Sequence, residues 1–152
     1  PILTLTSVTG YKACKCCEKK LAANSAKMAY AFANATVPKI NVYTGKAYGS
    51  VYSAFNSKGN GADICFAWPD AQIGSMDAGA AAKILAGDKG ADEINRIAAD
   101  YAALQNNVSS AAARGYVDTI VEPIDTRKYV IGAFEMLSNK AVEGPAKKHG
   151  TV

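Results

Sequence analysis

Ile40-Asn-Val-Tyr43 runs into Gly45-Lys-Ala-Tyr-Gly-Ser-Val-Tyr-Ser-Ala-Phe-Asn-Ser57, and this junction decides the fold. It reads as a buried strand, a glycine turn and a helix that begins inside the stretch. Gly49 can adopt backbone angles closed to other residues. The next two amides, Ser50 and Val51, fall in a first helical turn whose N–H groups have no partner further up the helix. Such amides can hold an oxyanion. The same pattern also makes an ordinary tight turn, so the rest of the chain has to separate the two uses.

Upstream of the junction, Ile2 to Val8 is strand-like and ends at Thr9-Gly10. An alanine-rich segment from about Cys16 to Asn34 then places Leu21, Met28 and Phe32 near one helical face, as a covering helix would. Pro38 closes it, because the residue before proline favours extended angles. Downstream, Val51 to Phe55 predicts a short helix, Asp63 to Ala67 a third strand and Gln72 to Met76 a fourth. Asp77 suits the cap of a helix reaching about Ala86. Asp92 to Gln105 has helical periodicity, with Ile94, Ile97, Ala98, Tyr101 and Leu104 on one side. Gly115 to Val121 predicts a last extended piece, Ile124 to Lys140 a final helix entered at Pro123, and Ala141 to Val152 an extended, exposed tail. Strands alternate with helices without internal repeats, which predicts one α/β layered domain over 1–152, short strands backed by helices.

The composition is that of an ordinary globule, with 20% charged and 49% hydrophobic residues. The longest apolar run, Met28 to Val37, falls far short of the roughly 20 residues that span a bilayer. With no signal-peptide pattern, the expected compartment is the cytoplasm. The chain opens at Pro1 directly in a strand, which suggests part of a longer polypeptide. A net charge of +4 is gathered largely in lysines near the two ends, without interleaved aromatics, so nucleic acid is disfavoured as a partner. Cys14, Cys16 and Cys17 form a C-x-C-C cluster with no histidine nearby. With Cys65 they read as incidental thiols, neither a metal site nor a disulfide framework.

Side-chain catalysis finds little to work with. His149, in the tail, is the only histidine, and Gly49-Ser50-Val51 is not a nucleophile elbow, so serine hydrolase chemistry is disfavoured. Asp63, Asp70, Asp77 and Asp118 sit where caps and turns explain them, and nothing selects a catalytic pair. Phosphate-loop and dinucleotide motifs are absent. Backbone amides at a helix start remain the one device supplied without side-chain help, and they suit reactions passing through an enolate or similar oxyanion.

Several blocks then fall in order: Ser25-Ala-Lys27, Ala35-Thr-Val-Pro-Lys-Ile40, Lys46-Ala-Tyr-Gly49, Ala67-Trp-Pro69, Ala113-Arg-Gly-Tyr-Val-Asp118 and Lys147-Lys-His-Gly150. Collinear over nearly the whole chain, they resemble the latter half of the C-terminal crotonase-like domain in carboxyltransferase subunits of biotin-dependent acyl-CoA carboxylases and decarboxylases. The resemblance implies a crotonase-like α/β fold and carboxyl transfer between carboxybiotin, borne on a biotin carboxyl carrier protein, and an acyl-CoA. It further implies that this chain supplies the biotin-side half of a site shared with an N-terminal carboxyltransferase half from another protomer of a homo-oligomer. The isolated chain is then expected to be inactive. In the family, amides at the turn matching Gly49, Ser50 and Val51 hold the biotin enolate, which points to Ser50 and Val51 as donors and to Tyr52 and Ser53 as substrate-binding residues. Ser50 stands where a glycine is usual, and Ser53 where many relatives carry Asp, a position that helps choose the acyl group. Another crotonase-type enzyme such as a hydratase, with placed carboxylates, and a non-catalytic scaffold subunit are the competing readings.

Overall fold

A computed structural model describes residues 1–12 and 14–144. Its frame is a parallel sheet in the order β1 (Ile2–Val8), β2 (Lys39–Tyr48), β3 (Ile64–Ala67) and β5 (Thr119–Ile120), with β4 (Gln72–Gly74) pairing the far end of β2. Parallel neighbours need crossover connections. The helices α1 (Lys15–Asn34), α2 (Gly49–Ala54), α3 (Ala78–Ala86), α4 (Ala91–Tyr101), α5 (Val108–Ala113) and α6 (Thr126–Met136) lie between or after the strands. Among the described residues no helix is long and apolar enough to cross a membrane.

Side chains alternate across a strand, and here the alternation sorts two unlike cores. Ile40, Val42 and Phe66 point to one face, where Val121 and, from α6, Val130 and Ala133 cover them. Tyr43, Cys65 and Ala67 point to the other, joined by Ala47, Ile73, Val108, Ala111 and Val117. That second core is built largely of small residues, which lets α2 and α5 approach the sheet closely. Beside it lies a buried polar knot. Thr4 and Thr6 donate to Asn41 Oδ1 at 2.9 and 2.7 Å, while Asn56 Nδ2 donates to Thr4 Oγ1 at 2.9 Å and to the Ile40 carbonyl at 3.2 Å. Asn56 takes φ +47°, the left-handed region that asparagine enters more readily than most residues.

Several expectations need correction. The second strand, expected to end at Tyr43, runs on through Gly45 to Tyr48, because Ala47 and Tyr48 are buried and Lys46, Ala47 and Tyr48 pair with Gln72, Ile73 and Gly74, and the chain turns only at Gly49. Gly45 serves packing instead, since a Cβ there would lie 2.8 Å from Ser7 Oγ where the β1–β2 register shifts. β4 stops at Gly74, β5 keeps only two residues, and the last helix is a 3-10 turn, Pro123–Asp125, followed by α6, which ends at Met136. α4 passes into a π-helical turn, Ala102–Asn106. The wider turn shifts the helical phase, so Ile94, Ile97, Ala98 and Tyr101 are half-buried whereas Leu104 is 66% exposed. Cys14 and Cys17 form a disulfide, contrary to the reading of all these cysteines as incidental thiols. The two stand three residues apart, a spacing interrupted in the sequence by Cys16, and the entry into α1 brings them together. The block Lys147-Lys-His-Gly150, the only histidine and the tail expected beyond Gly144 lie outside the described residues.

Candidate functional site

β2 ends against a turn that only its glycine makes cheaply. Gly49 has φ +71°, and a Cβ there would meet nothing nearer than the Ser75 carbonyl at 3.5 Å, so conformation rather than space calls for glycine. Tyr48 occupies the N-cap of α2 without a side-chain hydrogen bond to the helix; its hydroxyl instead donates to Gln72 Oε1 at 2.5 Å. Among the described residues, neither the Ser50 nor the Val51 N–H is taken up by a hydrogen bond. These are two of the donors that every helix start leaves without an intrahelical partner.

A cleft of about 600 Å³ opens at this helix start. Gly49, Ser50, Tyr52 and Ser53 line one side; Val51 does not reach it with its side chain. Ile73, Gly74 and Ser75, from the end of β4 and just beyond, form the floor. Tyr101 and Gln105 contribute from the α4 end and the π-helical turn, Arg114 and Tyr116 from beyond α5. Ser53 Oγ donates to the Gly49 carbonyl at 3.3 Å, and Ser57 Oγ to the Ser53 carbonyl at 2.8 Å, so the serines brace the short helix. Arg114 Nη2 donates to Gln105 Oε1 at 2.7 Å and to the Leu104 carbonyl at 3.3 Å, which ties α5 to the π-helical turn.

The electrostatics are one-sided. Arg114 brings a cation to the cleft, and no Asp or Glu is among its lining residues. Burial raises the Tyr52 hydroxyl above its ordinary range, and burial together with the nearby Asp77 raises that of Tyr48, so both stay protonated at neutral pH. Tyr52 also packs edge-on against Tyr43, with ring centroids 5.6 Å apart, which anchors the cleft side of α2 on the small-residue core. Such a site can stabilise negative charge on an oxygen through amides and hydroxyls, but it offers no carboxylate for general acid–base work.

Gly49, Ser50, Tyr52 and Ser53 are therefore brought to one cleft, as the sequence reading expects. That reading missed Tyr101, Gln105, Arg114 and Tyr116. For the last two a signal existed, since they belong to the block Ala113 to Asp118. Tyr101 was placed on the inner face of α4 by periodicity but with nothing to link that face to the cleft, and for Gln105 there was no signal, because the π-helical turn that carries it is not visible in the periodicity. Gly74 was missed as well: a Cβ there would collide with Asn106 Oδ1, and Asn106, 2% exposed, donates from Nδ2 to the Met76 carbonyl at 3.2 Å. The pair seats the floor of the cleft on the turn opposite.

The carboxyl transferase domain model matches residues 1–152. The chain is 42% identical to the propionyl-CoA carboxylase beta chain of Saccharopolyspora erythraea over 163 aligned residues, covering 100% of this chain and 30% of that one. It is 43% identical to the methylmalonyl-CoA carboxyltransferase 12S subunit of Propionibacterium freudenreichii subsp. shermanii, over 84% of this chain and 25% of that one. The crystal structure of transcarboxylase 12S, a hexamer with hydrolysed methylmalonyl-coenzyme A bound, superposes with a TM-score of 0.92 at 39% identity, covering 97% of this chain and 30% of its own. The chain thus spans about 30% of the length of such relatives. Its architecture is the crotonase-like α/β arrangement expected from the sequence, and the chain belongs to the carboxyl transferase domain family.

Proposed function

We propose that this chain supplies the biotin-side half of an acyl-CoA carboxyltransferase site, with the Ser50 and Val51 amides as its oxyanion hole. The observation that carries the reading is the pair of unpaired amides at a helix start, opening on a cleft free of carboxylates. Biotin, when bound, supplies a carboxyl group that can be passed to an acyl-CoA. Its fit rests on the donor set: a ureido oxygen is an acceptor, and two amides left without a hydrogen-bond partner at a helix start beside a cleft of about 600 Å³ suit it. Within that arrangement Gly49 shapes the turn, and Ser50 and Val51 donate. Tyr52 presents a neutral hydroxyl, and Ser53 lies at the cleft wall, where a change would alter the choice of acyl group. No imidazole base is called for, in keeping with a chain that has a single histidine.

The remaining partners follow from the same reading. A biotin carboxyl carrier protein brings the cofactor, an N-terminal carboxyltransferase half completes the site, and a cytoplasmic homo-oligomer holds the two halves together. A hydratase is less well supported, because its placed carboxylates find no counterpart among the lining residues. A scaffold role is less well supported because the amides are not consumed internally.

The test is Ser50→Pro in the intact protein, assayed for carboxyl transfer from carboxybiotin to a panel of acyl-CoA thioesters. Proline removes one donor and, by restricting the Gly49 that precedes it, distorts the turn. Loss of one oxyanion donor costs about 10²–10³ in turnover, and unchanged turnover would refute the oxyanion role.

A further inference from the structure

The first turn of α1 carries three cysteine sulphurs that carboxyl transfer does not use. Cys14 is the N-cap of this 20-residue helix, and its sulphur accepts from the Cys17 amide at 3.2 Å. Cys16 Sγ lies 3.5 Å from Cys14 Sγ and 3.8 Å from Cys17 Sγ, and Cys14 and Cys17 are joined as a disulfide with Cα atoms 5.3 Å apart. The three sulphurs all lie within 4.8 Å of one another. Cys16 and Cys17 are exposed and Cys14 is half-buried, so the cluster is reachable from solvent.

These separations match a metal-thiolate geometry. With metal–sulphur bonds of about 2.3 Å, neighbouring ligands stand roughly 3.8 Å apart in a tetrahedral site and roughly 4.0 Å apart in a trigonal one. Two of the three edges are already near that value, and the third is closed only by the disulfide. All three ligands come from one helix start, so opening the Cys14–Cys17 bond needs side-chain movement and no rearrangement of the chain. Thiolates select soft cations over magnesium or calcium. Three thiolates and a divalent ion would carry one net negative charge, and Lys12, Lys15, Lys19 and Lys20, all exposed nearby in sequence, are available to balance it.

We propose that the reduced Cys14, Cys16 and Cys17 form a binding site for a thiophilic d10 cation of the zinc class, and that the Cys14–Cys17 disulfide is its closed, metal-free state. In the opening step an external dithiol gives two electrons to the disulfide and leaves as its own disulfide, while the Cys14 and Cys17 sulphurs take up two protons. In the binding step three S–H protons leave as three sulphur–metal bonds form, and solvent fills the fourth position. Cation binding and oxidation then exclude each other.

Cadmium is the probe, since its thiolate complexes absorb in the ultraviolet. The intact protein is reduced, desalted without oxygen and titrated with Cd²⁺, beside a Cys14→Ser/Cys16→Ser/Cys17→Ser variant that subtracts every other thiol. The expected result is one additional Cd²⁺ per chain in the reduced wild type, loss of three reagent-accessible thiols on loading, displacement by Zn²⁺ but not by Mg²⁺, and no such binding before reduction. Loss of even an outer partner of a metal ligand costs 10–100-fold in affinity, so Cys16→Ser, which removes a ligand outright, should weaken binding by at least about tenfold. Circular dichroism checks that each variant keeps its helix content. Equal Cd²⁺ affinity in Cys16→Ser, equal binding by the unreduced protein, or no difference from the triple variant would each overturn the proposal. None of these readouts depends on carboxyl transfer.

Discussion

Two helix starts follow one another across the β4 turn and are finished in opposite ways. At α3 the Asp77 carboxylate caps the helix, accepting from the Gly79 amide at 2.9 Å, and α5 is closed likewise by Asn107 on the Ser109 amide at 2.7 Å. At α2 the capping position holds Tyr48, whose hydroxyl is turned away to Gln72, and the first amides stay bare. Capping side chains contribute about 1 kcal/mol each, and α2 shares the lack of one with α4 and α6, which start at Gly90 and Asp125 without a side-chain cap. What sets the α2 start apart from those two is the cleft that Gly49 and Ser50 line.

The sharpest way to break this contrast is at the bare end. Ser50→Pro should lower turnover by about 10²–10³ in the intact protein, whereas an equal loss from Asp77→Ala would erase the distinction between the two starts.

The next largest effect concerns the core that backs α2. Burial pushes the Cys65 thiol up to about 11 from an ordinary 9.0. The folded state therefore holds this proton more tightly than the unfolded one. The stability it contributes is fully present below about pH 9 and is lost as pH rises towards 11, by roughly 2–3 kcal/mol. Urea unfolding of wild type and Cys65→Ala at pH 8 and pH 11 checks this: the wild type should lose more over the interval than the variant, and parallel losses would mean that this core does not hold α2 by excluding charge.

Gly74→Ala comes next, because the added methyl meets Asn106 Oδ1. Overpacking of this kind costs about 1–3 kcal/mol. Thermal unfolding should register it, and an alanine tolerated without loss would show that the floor of the cleft is soft. The smallest effect is expected at the capped start. Asp77→Ala should cost about 1 kcal/mol in denaturant unfolding with turnover within about twofold of wild type.

Much of this contrast was legible in the residues. The strand running into Gly49 and the helix behind it could be placed because apolar runs bounded by glycine and proline announce themselves, and Asp77 was recognisable as a cap by residue type and position. The far end of the second strand was read short, because Thr44, Gly45 and Lys46 interrupt its apolar run, and the pairing with β4 that keeps Ala47 and Tyr48 in the sheet is not visible locally. Leu104 misled because a π-helical turn breaks the 3.6-residue phase without any compositional sign. The far wall of the cleft was illegible for a different reason: Tyr101, Gln105 and Arg114 lie about fifty residues or more from Ser50, and only the folded chain brings them near. Cys14 and Cys17 were obscured by the cysteine between them.

Asn56 gives the bare helix start its support from behind. Wholly buried, it ties the end of α2 to Thr4 of β1 and to the Ile40 carbonyl of β2. In mechanical terms α2 is a short beam clamped at its far end, so its two donors keep their aim without any fastening of their own, and a loosened clamp would blur that aim while every atom of the cleft lining stayed in place.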